Sequence, residues 1–324
     1  MIVIGREAVR AHLTWDVSIP MVRDAMIALS RGVTRQLPRG IIDLDEGRAF
    51  GVMPGSMGAG EVFGAKMISV YPENFAQGLQ SHQGLVAVFD PATGALAAAV
   101  HAGEITAIRT ASASAVATDA LSRPDASRLA ILGYGEQAEA HAMAIAKVRS
   151  IEEIRVWGRS PEHAHAFAQR IGQALGAPAT ACDSVEAATA GAEIICTTTA
   201  AVEPILFGRW VSEGAHLNLV GSSRAGPAEV DDELVARSRY FADHRQGVLL
   251  QGAEFLNAKR NALVDDDHIL GEIGAVLDGI LEGRRSPADI TVYKSLGSIV
   301  QDLSSAWWLY QAALREGFGT QVDF

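Results

Sequence analysis

Apolar residues fall into two rhythms along the chain. In the first third, short apolar runs follow one another with turns between them. Residues 1–4 read as a strand. Thr14-Trp15-Asp16 leads into an amphipathic helix with Val17, Met21, Ala25 and Leu29 on one face. Pro38-Arg39-Gly40 breaks the pattern, and strand-like runs follow at 41–44, 49–53, 62–70 and 85–90. Asp90-Pro91-Ala92-Thr93-Gly94 has the composition of a turn, so the last run opens a hairpin with 95–100. These spacings predict antiparallel sheet. An Ala-rich helix at 105–121 is stopped by Ser122-Arg123-Pro124-Asp125, where a domain boundary is expected.

From Leu129 the rhythm changes. Strand runs at 129–132, 154–157, 194–198 and 217–220 alternate with helices at Pro161–Leu175, 184–189 and 231–236. Residues 240–242 read as the last short strand. Asp265-Asp266-Asp267-His268 reads as a turn capping a helix at 269–281. This alternation predicts an α/β domain with a doubly wound parallel sheet from about 125 to 300. A long helix at 299–316 is expected to pack back on the first domain.

The segment LAILGYGEQAEAHAMAIAK, from Leu129 to Lys147, anchors the second rhythm. An apolar strand runs into Gly133, Gly135 and Ala138 in the spacing G-x-G-x-x-A, and Glu136 and Gln137 open a helix. A dinucleotide pyrophosphate needs this arrangement. The first glycine makes the turn and the second lets backbone approach the phosphates. The small third residue lets helix and strand pack closely. The alternative is an ordinary strand-to-helix turn. After the next strand the chain reads Val156-Trp157-Gly158-Arg159-Ser160, with no carboxylate for a ribose 2′-hydroxyl. A guanidinium and a hydroxyl suit a 2′-phosphate, so Arg159 and Ser160 point to NADP(H), with NAD(H) as the alternative. Arg159 can equally be a solvated loop residue.

Length and charge narrow the classes. The 324 residues fit about two domains, and 48% hydrophobic with 20% charged residues fits a sizeable core. A net charge of −11 argues against nucleic acid and anionic membrane as partners. Two cysteines, Cys182 and Cys196, form no C-x-x-C and suit a reducing compartment. The start has no basic region of a signal peptide, and no apolar stretch is long enough for a bilayer. A cytoplasmic enzyme is the expectation. The histidines show no metal spacing, and Gly221-Ser222-Ser223-Arg224-Ala225 lacks the second glycine of a nucleophile elbow. Lys66 in a strand, Arg109 amid Ala and Ser, and Arg39 beside Pro38 each read singly as solvent-facing cations.

Taken together, the motifs resemble those of the ornithine cyclodeaminase/μ-crystallin family. The markers are Phe63-Gly64-Ala65-Lys66, Leu79-Gln80-Ser81-His82-Gln83-Gly84 and Ile105-Thr106-Ala107-Ile108-Arg109-Thr110. The glycine turn, Glu203-Pro204-Ile205-Leu206-Phe207-Gly208-Arg209-Trp210, Gly214-Ala215-His216-Leu217-Asn218 and Val292-Tyr293-Lys294-Ser295-Leu296-Gly297 follow in order. The resemblance implies a Rossmann domain (123–301) inserted into a substrate-binding and dimerisation α+β domain built from both chain ends (1–122 and 302–324). It implies a homodimer.

By position, Arg39, Lys66 and Arg109 look like a clamp for a substrate carboxylate, with Ser81 near the substrate. Lys66 is the expected proton donor and His82 the second candidate. On the cofactor side the resemblance adds Thr110, Thr198, Ser223, Ser295 and Gly297 to the glycine turn. One departure matters. Cyclodeaminases carry an aspartate where this chain has Ser223, so Gly221-Ser222-Ser223 resembles the ketimine reductases and μ-crystallins instead. The expected activity is NAD(P)H-dependent reduction of an α-imino acid to an L-amino acid. Candidate substrates are 1-pyrroline-2-carboxylate, 1-piperideine-2-carboxylate, linear imines of 2-oxo acids, and iminosuccinate. The alternatives are an amino-acid cyclodeaminase with bound NAD and a non-catalytic NADPH-dependent binder.

Overall fold

The computed structural model describes residues 1–323. The chain forms two compact units, Met1–Thr110 with the residues from Ser298 onward, and Ala111–Gly297. The first division falls inside the helix Ala102–Leu121, not at its foot near 122, and the second falls at 297/298, not 301/302. That helix is buried from Ala102 to Thr118, with no polar stripe to mark where one core gives way to the other.

The first unit is built on a sheet of short strands: β1 (Ile2–Ile4), β2 (Arg35–Gln36), β3 (Gly40–Asp43), β4 (Ala49–Ser56), β5 (Phe63–Val70), β6 (His82–Phe89) and β7 (Leu96–His101). β4 to β7 pair antiparallel in sequence order. β1 runs parallel to β7, and Thr320–Gln321 adds antiparallel to β1. β2 and β3 both pair with β4. The helix Ile299–Glu316 lies on β4 to β7 and against the helix Trp15–Ser30.

Its approach depends on two glycines. Gly55 and Gly64 are register partners on β4 and β5. A β-carbon on Gly55 would come 2.6 Å from Ile299 Cγ2, and one on Gly64 would come 2.0 Å from Ala87 O on β6 and 3.2 Å from Leu303 Cδ2. Ile299 and Leu303 join Met53, Ile68, Val86 and Val88 in the core of this unit. The helix Arg6–His12 was not foreseen, because seven residues are too few to display a period.

The second unit holds eight parallel strands: β8 (Arg128–Leu132), β9 (Glu153–Trp157), β10 (Ala179–Ala181), β11 (Ile194–Thr197), β12 (His216–Leu219), β13 (Arg239–Ala242), β14 (Ile269–Glu272) and β15 (Thr291–Lys294). Their order is β10-β9-β8-β11-β12-β15-β13-β14. The expected doubly wound sheet is therefore present, with its direction of growth switching between β8 and β11.

Two readings need correction here. Strand 240–242 is not the last, since β14 and β15 follow it. The expected helix at 269–281 begins as strand β14, and only Ile273–Leu277 is helical. Asp265 caps the short 3-10 turn Asp266–His268, accepting from Asp267 N at 3.1 Å. β15 was overlooked because Thr291, Tyr293 and Lys294 look polar, although all of its residues are buried.

Candidate active site

The glycine turn follows β8. Gly133 donates its N–H to Trp157 O at 2.8 Å and has φ +125°, a conformation that glycine alone adopts readily. Gly135 is extended and has no side chain to cap the helix Glu136–Ile145. A helix N-terminus that opens at a glycine, with no side-chain cap, favours a bound anion. Ala138, Ala140, Ala142 and Ala144 are buried as the helix packs on β8 and β11. These residues fit a dinucleotide pyrophosphate.

Around the same strand ends, Thr198 bonds Leu132 O through its N–H (2.9 Å) and its Oγ1 (3.0 Å). Ser160 caps the helix Pro161–Leu175, accepting from His163 N at 3.3 Å. Arg159 is exposed, with no hydrogen-bond or ion-pair partner among the described residues. Gly297 has φ +87°, and Ser295 is buried. Ser223 is half-buried in the loop after β12.

Three buried carboxyl groups, Glu229, Asp243 and Glu254, organise these loops. Glu229 accepts from Thr197 Oγ1, Thr199 N, Thr199 Oγ1 and Gly221 N, each at 2.7 Å. Asp243 accepts from Leu296 N (2.7 Å), Gly297 N (2.5 Å) and His244 N (2.7 Å). Burial raises both carboxyls above their usual range against the pull of these bonds. Glu254 lies 3.0 Å from Lys294 Nζ, which also donates to Ser222 O at 2.6 Å and Ser222 Oγ at 2.8 Å.

The first unit gathers the cations. Alternation along β5 puts Gly64, Lys66 and Ile68 on the face covered by the helix Ile299–Glu316. Lys66 is 2% exposed and Arg109 4%, so neither faces water as its local sequence suggested. Both bond one atom, Asp302 Oδ1, at 3.1 Å each. Arg109 also donates to Gln301 Oε1 at 2.7 Å, and Gln301 Nε2 lies 3.1 Å from Met26 Sδ. Burial lowers Lys66 to about 7. Asp302 opposes this, while Arg109 and Arg39 add to it.

Arg39 is half-buried in the turn before β3. His82, at the head of β6, bonds Ser81 Oγ at 2.9 Å through Nδ1. Burial and then the charges of Lys66, Arg109 and Arg39 push it down to about 4. Lys66, Arg109, Arg39, His82 and Ser81 thus belong to one neighbourhood. Thr110 directs its hydroxyl to Thr106 O at 2.6 Å on its own helix.

Asp302 was missed by the sequence reading, although it left a signal. Ile299, Leu303, Ala306 and Leu309 form the buried face of the last helix, and an acid at 302 falls within that stripe. A carboxylate there calls for a cation from another element.

Comparison with known proteins gives concordant matches. The family described as ornithine cyclodeaminase/mu-crystallin matches residues 2–317. The ketimine reductase mu-crystallin of Mus musculus is 35% identical over 314 residues, covering 95% of this chain and 96% of that one. The structure of Thermococcus litoralis Δ1-pyrroline-2-carboxylate reductase in complex with NADH and L-proline superposes with a TM-score of 0.96 at 32% identity, covering 99% of this chain and all of the other. Paracoccus denitrificans iminosuccinate reductase in complex with NAD+ gives 0.92 at 28% identity, covering 100% and 99%.

Proposed function

The chain belongs to the ornithine cyclodeaminase/μ-crystallin family, and from that premise we propose that it is an NAD(P)H-dependent reductase of α-imino acids. One observation carries this reading: a buried lysine and a buried arginine, Lys66 and Arg109, are held side by side on one carboxylate oxygen, Asp302 Oδ1. Imine reduction needs those two functions from the protein. A fixed cation must hold the carboxylate, and a nearby acid must protonate the nitrogen.

The nicotinamide cofactor supplies the hydride. Arg109 and Arg39 hold the substrate carboxylate. Lys66 gives a proton to the imine nitrogen as the carbon gains hydride, and water returns a proton to Lys66. Imine, reduced cofactor and one proton become amine and oxidised cofactor. His82, uncharged above about pH 4, is not the acid at neutral pH. It accepts or donates a hydrogen bond with Ser81 instead.

The charge arrangement also weighs against cyclodeamination. That reaction needs a carboxylate beside the α-nitrogen, and Ser223 replaces it. Two nearby acids could have substituted, but both are committed. Glu229 accepts four hydrogen bonds, and Asp231 caps the helix Asp232–Arg237 while accepting from Gly208 N at 2.8 Å.

Arg159, exposed at the end of β9 with no carboxylate beside it, supports a preference for NADPH. Cyclic ketimine carboxylates are the preferred substrates, after the relatives named for them. The exposed side of the first unit's sheet supports a homodimer. Ile42 on β3, and Phe63 and Met67 on β5, are apolar and exposed on the face opposite Lys66 and Ile68.

The test is turnover of NADPH and NADH with 1-pyrroline-2-carboxylate, 1-piperideine-2-carboxylate, iminosuccinate, and 2-oxo acids with methylamine. A parallel incubation of L-ornithine with catalytic NADP+ should give no proline. Steady proline formation there, with no imine reduced, would overturn the proposal in favour of cyclodeamination.

A further inference from the structure

Asp302 stands apart from every other carboxylate in the first unit. It is fully buried, and one of its oxygens bonds the nitrogens of two different cations. The two cations come from separate elements, Lys66 from β5 and Arg109 from the helix Ala102–Leu121. Without a shared anion, two buried positive charges this close would drive each other apart or force the lysine to release its proton.

The remaining charged and titratable groups around the pair are Arg39, from the turn before β3, and His82, at the head of β6. Both depress the lysine or stay neutral. Gln301 on the same helix and Met26 on the helix Trp15–Ser30 add no charge. Among the groups acting on Lys66, Asp302 is the one that favours its protonated form.

We propose that Asp302 is a positioning residue for the reductase reading given above, on which this inference rests. Its Oδ1 fixes Lys66 and Arg109 side by side, and its charge keeps on Lys66 the proton that the imine nitrogen takes. It touches neither substrate nor cofactor in this role. It acts through Lys66. Hydride goes to the imine carbon, the proton leaves Lys66 Nζ for the nitrogen, and solvent returns it.

The role separates from mere packing through pH. Reduction requires protonated Lys66, so kcat/KM should fall as pH rises through the lysine's value. Asp302→Asn keeps an acceptor oxygen for both cations and removes the charge. Its falling limb should move to lower pH by about one unit or more. Gln301→Glu adds a second carboxylate against Arg109, the neighbour of Lys66 on Asp302, and should move the limb the other way. A purely structural Asp302 would lower activity at every pH and leave the limb in place.

A titration independent of turnover keeps the two readings distinguishable. The chain has four lysines, Lys66, Lys147, Lys259 and Lys294, so 13C-lysine NMR yields a countable set of side-chain signals. The signal missing from Lys66→Arg belongs to Lys66. Its midpoint should move to lower pH in Asp302→Asn and to higher pH in Gln301→Glu. If Asp302→Asn does not fold, the Gln301→Glu shift decides alone. A Lys66 midpoint that moves in neither folded variant overturns the positioning role, whatever the enzyme turns over. Midpoints that move as expected in a protein that reduces no imine leave the role of Asp302 standing and overturn the reductase reading.

Discussion

A β-carbon on Gly133 would come 2.7 Å from Thr198 Oγ1 and 2.9 Å from Thr198 O. The glycine turn and the residue that follows β11 therefore pack with no space for a side chain between them. Gly133→Ala should strain a φ of +125° by roughly 1 to 3 kcal/mol and push Thr198 away. The expected result is NADPH binding weakened about tenfold or more, by fluorescence titration, in a protein with a lower Tm. Wild-type affinity in Gly133→Ala would remove this turn from the cofactor site.

Lys66→Ala and Arg109→Ala should each leave cofactor affinity near that of wild type and lower kcat/KM at least about tenfold. Each removes a charge-assisted bond worth roughly 1.5 to 3 kcal/mol. Single-turnover hydride transfer checks this. Retention of wild-type kcat/KM in both variants would undo the clamp.

The folded-state lowering of Lys66 also makes a stability prediction. Its folded value of about 7 lies below the ordinary 10.5. Between those values the unfolded chain holds a proton that the folded chain has released, so folding gains as pH rises through this window. The stability of wild type relative to Lys66→Met should therefore increase from pH 7 to pH 10 in urea titrations. A difference that is flat over this range would show that Lys66 titrates alike in both states.

Arg159→Asp should raise the KM for NADPH and lower that for NADH, since an acid at the end of β9 repels a 2′-phosphate and accepts from a 2′-hydroxyl. Steady-state kinetics with both cofactors decides. Equal KM values in the wild type would discard the NADPH preference at the outset.

Ile42→Lys with Met67→Lys places charge on the apolar outer face of the first unit's sheet. In solution this variant should run as a monomer by light scattering while the wild type runs as a dimer. Both running at the monomer mass would exclude that face as the interface.

Much of this architecture was legible because local chemistry and tertiary role agreed. Gly133, Gly135 and Ala138 sit where the strand-to-helix turn requires small residues. Ser160 before Pro161 announced a helix that runs to Leu175 as expected. The unread parts were those where a polar residue is buried by partners distant in sequence. Lys66 looked solvated until Asp302 was placed against it, 236 residues away. Lys294 hid strand β15 because its partners, Ser222 and Glu254, belong to other loops and helices. Ile269 to Glu272 read as helix because an acidic turn precedes them. Their pairing with β13, a long-range contact, made them strand.

That 236-residue separation also sets an order in time. A ribosome adding about 5 to 20 residues per second delivers Lys66 roughly 12 to 47 seconds before Asp302. Throughout that interval β4 and β5 present their glycine-flattened face without the helix that covers it, and Lys66 has no anion to meet. Lys66 is synthesised before, and Asp302 after, the whole of the second unit, Ala111–Gly297. The helix Ile299–Glu316 thus brings to Lys66 and Arg109 the carboxylate they share only after the second unit has been made.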